Sequence, residues 1–196
     1  MVSEVFGGDT IKDLQQRILE EAVELIKGKG LSFTMSELAI RLGVSKKTLY
    51  EWFESKQALI LEILETSRKS IKEQQALIYE DDTLSDTQKV RRLLTVVPRY
   101  HLAFDSNRME ELKKRYHEIY ERLVHLFESD WEKTFKIMTS AMEKKEMKPV
   151  NLLLFKRIYI NAVISLHDEF SFEKTNLSYQ QALEEIISIL FEGVIL

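Results

Sequence analysis

Glycine is nearly absent from most of this chain, and that scarcity restricts the possible folds. The 196 residues include six glycines and two prolines, and no glycine occurs between Gly43 and Gly193. Folds rich in strands need many tight turns, which favour Gly and Pro. The chain is long enough for one large or two small domains with a buried core. We therefore predict an all-α fold.

Residues 34–56 have the pattern of two short helices joined by a tight turn, with a third helix starting directly behind them. Thr34, with Glu37 three residues later, forms a capping box that signals a helix start. Gly43 stands where this helix has to stop, in a position that commonly needs a positive φ. Ser45 can cap the second helix. This layout predicts a helix-turn-helix.

The second helix of this motif has one apolar side and one side rich in hydrogen-bond donors. Leu49 and Phe53 lie four residues apart on the side that we expect to be buried. The other side carries donors that can reach DNA: Lys46, Lys47, Thr48 and Tyr50. The second helix of a helix-turn-helix lies in the major groove, and lysine can donate to guanine O6 and N7. We therefore predict double-stranded DNA as a partner, with Lys46 and Lys47 reading base edges.

The end of the motif is similar to the signature of the tetracycline-repressor (TetR) family of bacterial regulators. The matching pattern is Thr48-Leu49-Tyr50-x-x-Phe53-x-Ser55-Lys56-x-x-Leu59. The similarity continues upstream through Ile18-Leu19-x-x-Ala22 and the Gly30…Thr34 spacing, so it covers about residues 11–62. The resemblance implies a ligand-responsive transcriptional regulator, a repressor, that binds a palindromic operator as a homodimer.

The resemblance also implies a domain division and a set of DNA contacts. It gives a three-helix DNA-binding domain over residues 9–54 and a six-helix ligand-binding and dimerisation body over residues 55–196. Family residues that match Thr34, Thr48, Tyr50 and Lys56 contact backbone phosphates. Trp52 stands where the family usually has His or Tyr, and its indole N–H can still donate a hydrogen bond. Together with the reading side and the Ser45 cap, these residues form the predicted DNA interface.

The charge distribution agrees with DNA binding, although the formal net charge is −4. Between Lys27 and Lys56 there are six basic residues and three acidic ones. The local charge governs attraction to phosphate, and the total charge does not. Because the local excess is small, we expect modest non-specific affinity.

No catalytic or metal-binding constellation is present in the sequence. The chain has no cysteine, its four histidines are dispersed, and it lacks a glycine-rich phosphate loop and a Gly-x-Ser-x-Gly elbow. We predict that it is not an enzyme and needs no cofactor or metal. Residues 1–9 lack the basic and apolar regions of a signal peptide, and the apolar region 150–166 contains Lys156 and Arg157. We therefore expect a cytoplasmic protein with no membrane association.

A ligand pocket is predicted from aromatic residues in the second half of the chain. We expect a helix over about residues 87–104 to kink or break at Pro98, and a long helix over about 115–145 to carry one apolar stripe. The stripe comprises Tyr116, Tyr120, Val124, Phe127, Trp131, Phe135, Met138 and Met142. The predicted pocket is lined by Tyr100, His101, Phe104, Tyr116, Tyr120, Phe127, Trp131 and Asn161. Without a basic cluster it suits a small organic effector that is neutral or cationic, and the alternative is a solid core.

Two late helices, over residues 151–167 and 178–195, carry more apolar surface than one subunit is expected to cover. We predict that they pair with their symmetry mates in a four-helix dimer interface that contains Ile158, Ile187 and Leu190. The remaining alternative for function is a helical ligand-binding or adaptor protein whose helix-turn-helix no longer binds DNA. An operator-binding assay separates these two hypotheses.

Overall fold

A computed structural model describes residues 11–100, 103–104, 106–129, 131–166 and 176–193 of the chain. The N-terminal part, which we call the head, contains three helices and a short 3₁₀ turn. They are α1 (Ile11–Lys29), the turn Gly30–Ser32, α2 (Met35–Leu42) and α3 (Lys46–Trp52). The predicted all-α fold with an N-terminal helix-turn-helix is confirmed.

The rest of the described chain, which we call the body, is also built from helices. They are α4 (Lys56–Glu80), α5 (Asp86–Leu94), α6 (Ser106–Arg115), α7 (His117–Ser129), α8 (Glu132–Glu143), α9 (Leu152–Ser165) and α10 (Tyr179–Glu192). The described part of the body therefore has seven helices, and the predicted number of six is wrong. The difference arises because the predicted helix 115–145 is two helices, α7 and α8.

The predicted helix starts are confirmed by their capping geometry. The Thr34 hydroxyl accepts a hydrogen bond from the Glu37 N–H, and the Glu37 carboxylate accepts one from the Thr34 N–H. Ser45 caps α3, and Gly43 between the two helices has a φ of 67°. Ser55, Asn151 and Ser178 cap α4, α9 and α10 in the same way, each by a side chain that accepts a backbone N–H. These starts depend on local sequence, which explains why they were predictable.

Two helix breaks differ from the sequence prediction. Helix α5 ends at Leu94, so the chain breaks as one of the two predicted alternatives, but ahead of Pro98 and not at it. Proline restricts the residue before it to extended conformations, which favours an earlier end. Trp131 precedes α8 with φ −92° and ψ −10°. The adjacent Ser129-Asp130 pair consists of good helix-capping residues, a signal for this break that the sequence analysis missed.

The buried apolar side chains form two clusters. The first, which we call the head cluster, joins α1, α2, α3 and the first half of α4 to residues of the body that include Leu112 and Ile119. The second, which we call the body cluster, lies among α5, α8, α9 and α10. The predicted boundary between residues 54 and 55 stays a prediction, and buried side chains cross it. The head is therefore packed directly against α4, α6 and α7.

No helix in the described ranges is sufficiently long and apolar to span a lipid bilayer.

Candidate nucleic-acid interface

Helix α3 is held by its apolar side and presents the opposite side to solvent. Leu49 is fully buried in the head cluster. Lys46 and Lys47 are exposed, and Tyr50 is 46% exposed. Neither lysine forms a hydrogen bond or an ion pair with any residue that the structure describes. Both ammonium groups are thus available to a ligand outside the chain.

The hydroxyl groups predicted to contact DNA already stabilise helix starts. The Ser45 Oγ accepts the Thr48 N–H at 3.0 Å and lies 2.9 Å from the Thr48 Oγ1. The Thr34 Oγ1 accepts the Glu37 N–H at 3.2 Å. The Thr34 hydroxyl also donates to the Glu37 Oε2 at 3.2 Å. A phosphate oxygen only accepts hydrogen bonds, so a phosphate contact from Thr34 would have to replace this donation. Of the paired Ser45 and Thr48 hydroxyl groups, one donates to the other, and one proton stays available to a phosphate.

Ion pairing strengthens the start of α2. The Lys29 Nζ lies 2.6 Å from the Glu37 Oε1. This hydrogen bond, together with the one from the Thr34 N–H, holds the pKa of Glu37 at about 2. The carboxylate therefore stays charged over the whole physiological range and keeps the capping box closed.

Trp52 is half-buried, and its side chain packs against the head cluster. Its position at the end of α3 leaves it next to the predicted DNA interface. The predicted DNA contact from its indole N–H stays a prediction. Its packing gives the residue a stabilising contact that sequence reasoning did not foresee.

Lys56 has a different environment from the one that the sequence suggested. Its ammonium group donates to the carbonyls of Leu31, at 2.6 Å, and Phe33. It also lies 4.2 Å from the centroid of the Phe33 ring. Burial lowers the pKa of Lys56, and the nearby Arg115 guanidinium lowers it further. The predicted phosphate contact of Lys56 stays a prediction, and two of the three ammonium donors are used within the chain, which leaves one.

This geometry predicts that Lys56→Ala destabilises the head. The carbonyls of Leu31 and Phe33 lose a charged donor, so the free energy of unfolding should fall by about 1–3 kcal/mol. Urea denaturation of the variant and of the wild type measures this loss. Lys47→Ala is the control, because its side chain is exposed and should leave stability unchanged. Equal stability of all three proteins would contradict the assignment. In a separate measurement of DNA affinity against salt concentration, a slope lowered by about one unit in Lys56→Ala would show an additional phosphate contact.

The residues of the predicted ligand pocket do not lie on one wall. Tyr100, Phe104, Tyr116 and Tyr120 pack in or against the head cluster. Trp131 packs against the body cluster. The break between α7 and α8 separates the two groups, so the prediction of a single aromatic stripe along one helix is wrong. His101 and the side chain of Phe127 lie outside the described part, and Asn161 is exposed on α9.

Trp131 instead belongs to a compact aromatic group. Its ring centroid lies 5.6 Å from that of Phe135 and 5.4 Å from that of Tyr159 in an edge-on arrangement. The Tyr159 O–H donates to the Leu94 carbonyl at 2.8 Å, which ties α9 to the end of α5. Burial raises the pKa of Tyr159. Tyr159 lies in the helix that was predicted over residues 151–167, and the sequence gave no signal for this contact.

The predicted interface residues differ in exposure. Ile187 is fully buried in the body cluster of its own chain, and Leu190 packs against that cluster. Ile158 on α9 is 46% exposed. The assignment of Ile187 to a subunit interface is therefore wrong, because α10 uses this side to pack within the subunit. Ile158 stays a predicted interface residue.

Together, the all-helical fold and a helix-turn-helix with an exposed basic helix define a DNA-binding transcriptional regulator. Residues 18–63 match the family described as bacterial regulatory proteins, tetR family. The chain is 30% identical over 181 residues to the HTH-type transcriptional regulator YvaF of Bacillus subtilis (strain 168). The aligned region covers 92% of this chain and 95% of that protein. The chain belongs to the TetR family of transcriptional regulators, which are not enzymes.

Solved structures share the fold at low sequence identity. The ketosteroid transcriptional regulator KstR2 of Mycobacterium tuberculosis has a TM-score of 0.73 and 15% identity, covering 95% of this chain and 97% of that one. The TetR family regulator PfmR from Thermus thermophilus has a TM-score of 0.70 and 21% identity, with coverages of 90% and 97%. AibR in complex with isovaleryl coenzyme A and operator DNA has a TM-score of 0.64 and 16% identity, again with 90% and 97% coverage.

Proposed function

We propose that this regulator is a repressor that binds a palindromic operator as a homodimer and releases it when a small organic effector binds the body. The observation that carries the proposal is the exposed side of α3. Lys46 and Lys47 are free of partners in the described chain, and Leu49 fixes the helix from behind. A rigid helix that presents unpaired donors fits the major groove.

Dimerisation is supported by uncovered apolar side chains on α9 and α10. Phe155 packs into the body cluster from one side of α9. Large apolar side chains remain exposed elsewhere on the two helices: Leu153, Leu154, Ile158, Ile164 and Ile189. So many exposed large apolar side chains on two helices favour a subunit interface there, and a two-fold dimer presents two reading helices to a palindrome.

Effector binding is assigned to the aromatic group around Trp131. This side chain is partly exposed and has Phe135 and Tyr159 as aromatic neighbours. Such a surface suits a neutral or cationic organic molecule, and a cation gains an additional attraction to the indole ring. AibR, which has the same fold, was solved with isovaleryl coenzyme A and operator DNA. That anionic ligand is the competing class for the effector of this chain.

The test of DNA binding is selection of bound duplexes from random DNA, followed by titration at about 100 mM salt, where specific binding is separated from non-specific binding. The proposal predicts enrichment of two inverted half-sites at a fixed spacing. Enrichment of no sequence would favour the adaptor alternative. Enrichment of a single half-site would support DNA binding and contradict the homodimer.

The test of the effector site uses Trp131 as its own reporter. The chain has two tryptophans, so Trp52→Phe leaves Trp131 as the single indole fluorophore. Effector binding should change the Trp131 emission of this variant, and it should lower the operator affinity of the wild type, which keeps Trp52, by about 5- to 150-fold. The panel should contain neutral and cationic aromatic compounds beside isovaleryl coenzyme A. A response to the coenzyme A ester alone would contradict the proposed effector class.

Trp131→Ala should abolish the effector response and leave operator affinity unchanged, since the residue lies in the body cluster and α3 lies in the head. Operator binding by fluorescence anisotropy, with and without the effector, measures both properties. Loss of both together would show that Trp131 is needed for the fold and would contradict a specific role in effector binding.

A further inference from the structure

Helix α6 of the body contacts the connection between α1 and the helix-turn-helix. Arg108, Glu111 and Arg115 lie three and four residues apart, so they share one side of α6. Leu112, next to this side, is fully buried in the head cluster. The helix therefore meets the head through both apolar packing and charged side chains.

Arg108 binds the end of α1. Its Nε donates to the Ile26 carbonyl at 2.8 Å, and its Nη2 donates to the Lys27 carbonyl. These carbonyls belong to the last turn of α1, where carbonyls have no partner within the helix. A guanidinium at this end also interacts favourably with the helix dipole. Arg108 thus fixes α6 to the terminus of α1.

Glu111 and Arg115 bind both backbone polar groups of Leu31, in the 3₁₀ turn. The Glu111 Oε2 accepts the Leu31 N–H at 2.6 Å. The Arg115 Nη1 donates to the Leu31 carbonyl at 3.2 Å and to the Glu111 Oε1 at 2.8 Å. Charged groups form stronger hydrogen bonds than neutral ones, and a paired set fixes direction as well as distance. The turn that leads into α2 is therefore held from α6.

Gly30 permits this close approach. Its φ is +63°, and a Cβ atom at this position would lie 2.7 Å from the Glu111 Oε2. Any other residue would displace the carboxylate from the turn. The sequence offered Gly30 only as part of a family spacing, and the structure shows which side chain needs the space.

We propose that Arg108, Glu111 and Arg115, which we call the α6 clamp, set the spacing between operator half-sites that the dimer accepts. The inference rests on the proposed homodimer. The clamp fixes each head on its body, so the body dimer determines the separation and direction of the two α3 helices. Arg108, Glu111 and Arg115 are positioning residues, since none of them belongs to the DNA interface.

The physical reason is the helical geometry of DNA. Each added base pair moves a half-site by about 3.4 Å and turns it by about one tenth of a turn. A head held by the clamp cannot follow this movement without losing contacts. Without the clamp, only apolar packing holds the head on α6, and this packing is less directional than charged hydrogen bonds, so the head can turn about α4 and follow the half-site. Loss of the clamp should therefore relax the spacing preference and leave base preference within each half-site unchanged.

The experiment measures affinity for duplexes with the selected half-sites at the selected spacing and at spacings one and two base pairs longer or shorter. The proteins are the wild type, Glu111→Ala, Arg115→Ala and the control Glu110→Ala. Glu110 lies on the same helix, and its ion pair is with Lys114 at 3.2 Å on the exposed side. For the wild type and the control, a change of one base pair in the spacing should lower affinity by about tenfold, which is comparable with the effect of one mismatched base pair. For the clamp variants, the same change should lower affinity by less than about threefold.

A purely structural role gives a different result. In that case Glu111→Ala would lower the melting temperature and weaken all spacings by the same factor, which would overturn the inference. Arg115→Ala provides a folded variant, because the Leu31 carbonyl keeps its bond from Lys56. Equal spacing preference in the wild type and in folded Arg115→Ala would overturn this inference alone. Absence of paired half-sites in the wild-type selection would overturn the proposed function and this inference with it.

Discussion

Replacement of both Lys46 and Lys47 by alanine is expected to weaken specific operator binding strongly and leave the fold unchanged. Both side chains are exposed and have no partner among the described residues, so their removal creates no buried unpaired group. A good contact between a side chain and a base edge contributes about 1–3 kcal/mol of discrimination. Loss of two such contacts should weaken operator binding by about 100-fold or more.

The measurement is fluorescence anisotropy with the selected operator and with a scrambled duplex, over a range of salt concentrations. The control is the double variant Lys69→Ala and Lys136→Ala, which removes the same charge. Lys69 and Lys136 are exposed in the body and form ion pairs along their own helices. Base readout predicts a loss confined to the operator. An equal loss on both duplexes, with a salt slope lower by about two units, would show phosphate contacts instead.

The head could be predicted from sequence because its features are local. The capping box of Thr34 and Glu37 spans four residues, and the end of α2 at Gly43 depends on one backbone conformation. The buried and exposed sides of α3 follow from helical periodicity. The positions of Lys46, Lys47 and Tyr50 on the exposed side agree with that pattern, and their contacts with DNA remain predictions.

Contacts between distant residues could not be predicted in this way. Lys56 binds the carbonyl of Leu31, which lies 25 residues earlier, and Arg115 binds the same carbonyl from 84 residues later. Propensity and periodicity contain no information on such pairs. The sequence therefore suggested a phosphate contact for Lys56 and gave no role to the α6 clamp.

The predicted aromatic stripe failed for a related reason. Residues 116–142 follow one helical period, and this period continues across the break between α7 and α8. The capping residues Ser129 and Asp130 were a local signal for that break. Periodicity alone predicted that these side chains form one wall of a ligand pocket. In the structure, Tyr120 on α7 packs against the head cluster, and Trp131 at the start of α8 packs against the body cluster.

Apolar periodicity also does not distinguish a side that packs within a subunit from one that packs between subunits. Ile158 and Ile187 both lie on apolar helices and were assigned to the same interface. The structure separates them, since Ile187 is fully buried and Ile158 is 46% exposed. This difference leads to opposite expectations for the same substitution.

Ile187→Asp is expected to unfold the protein, whereas Ile158→Asp is expected to give a folded monomer. Removal of a buried isoleucine side chain costs about 2–5 kcal/mol, and an unpaired buried charge adds several more. That sum reaches the whole stability of a typical domain, about 5–15 kcal/mol. An aspartate at position 158 meets water in the monomer and would be desolvated only in the proposed dimer interface.

Circular dichroism and light scattering separate these outcomes. The wild type should have twice the chain mass of 23.1 kDa, and Ile158→Asp should have the single mass with an unchanged helical spectrum. Leu77→Asp is the matched control, because Leu77 is 72% exposed on α4, a helix outside the predicted interface, and this variant should remain dimeric. The monomer should bind the palindrome far more weakly, since each reading helix then binds without its partner. A dimeric Ile158→Asp protein would exclude this side of α9 from the interface, and a folded Ile187→Asp protein would contradict the burial of that side chain.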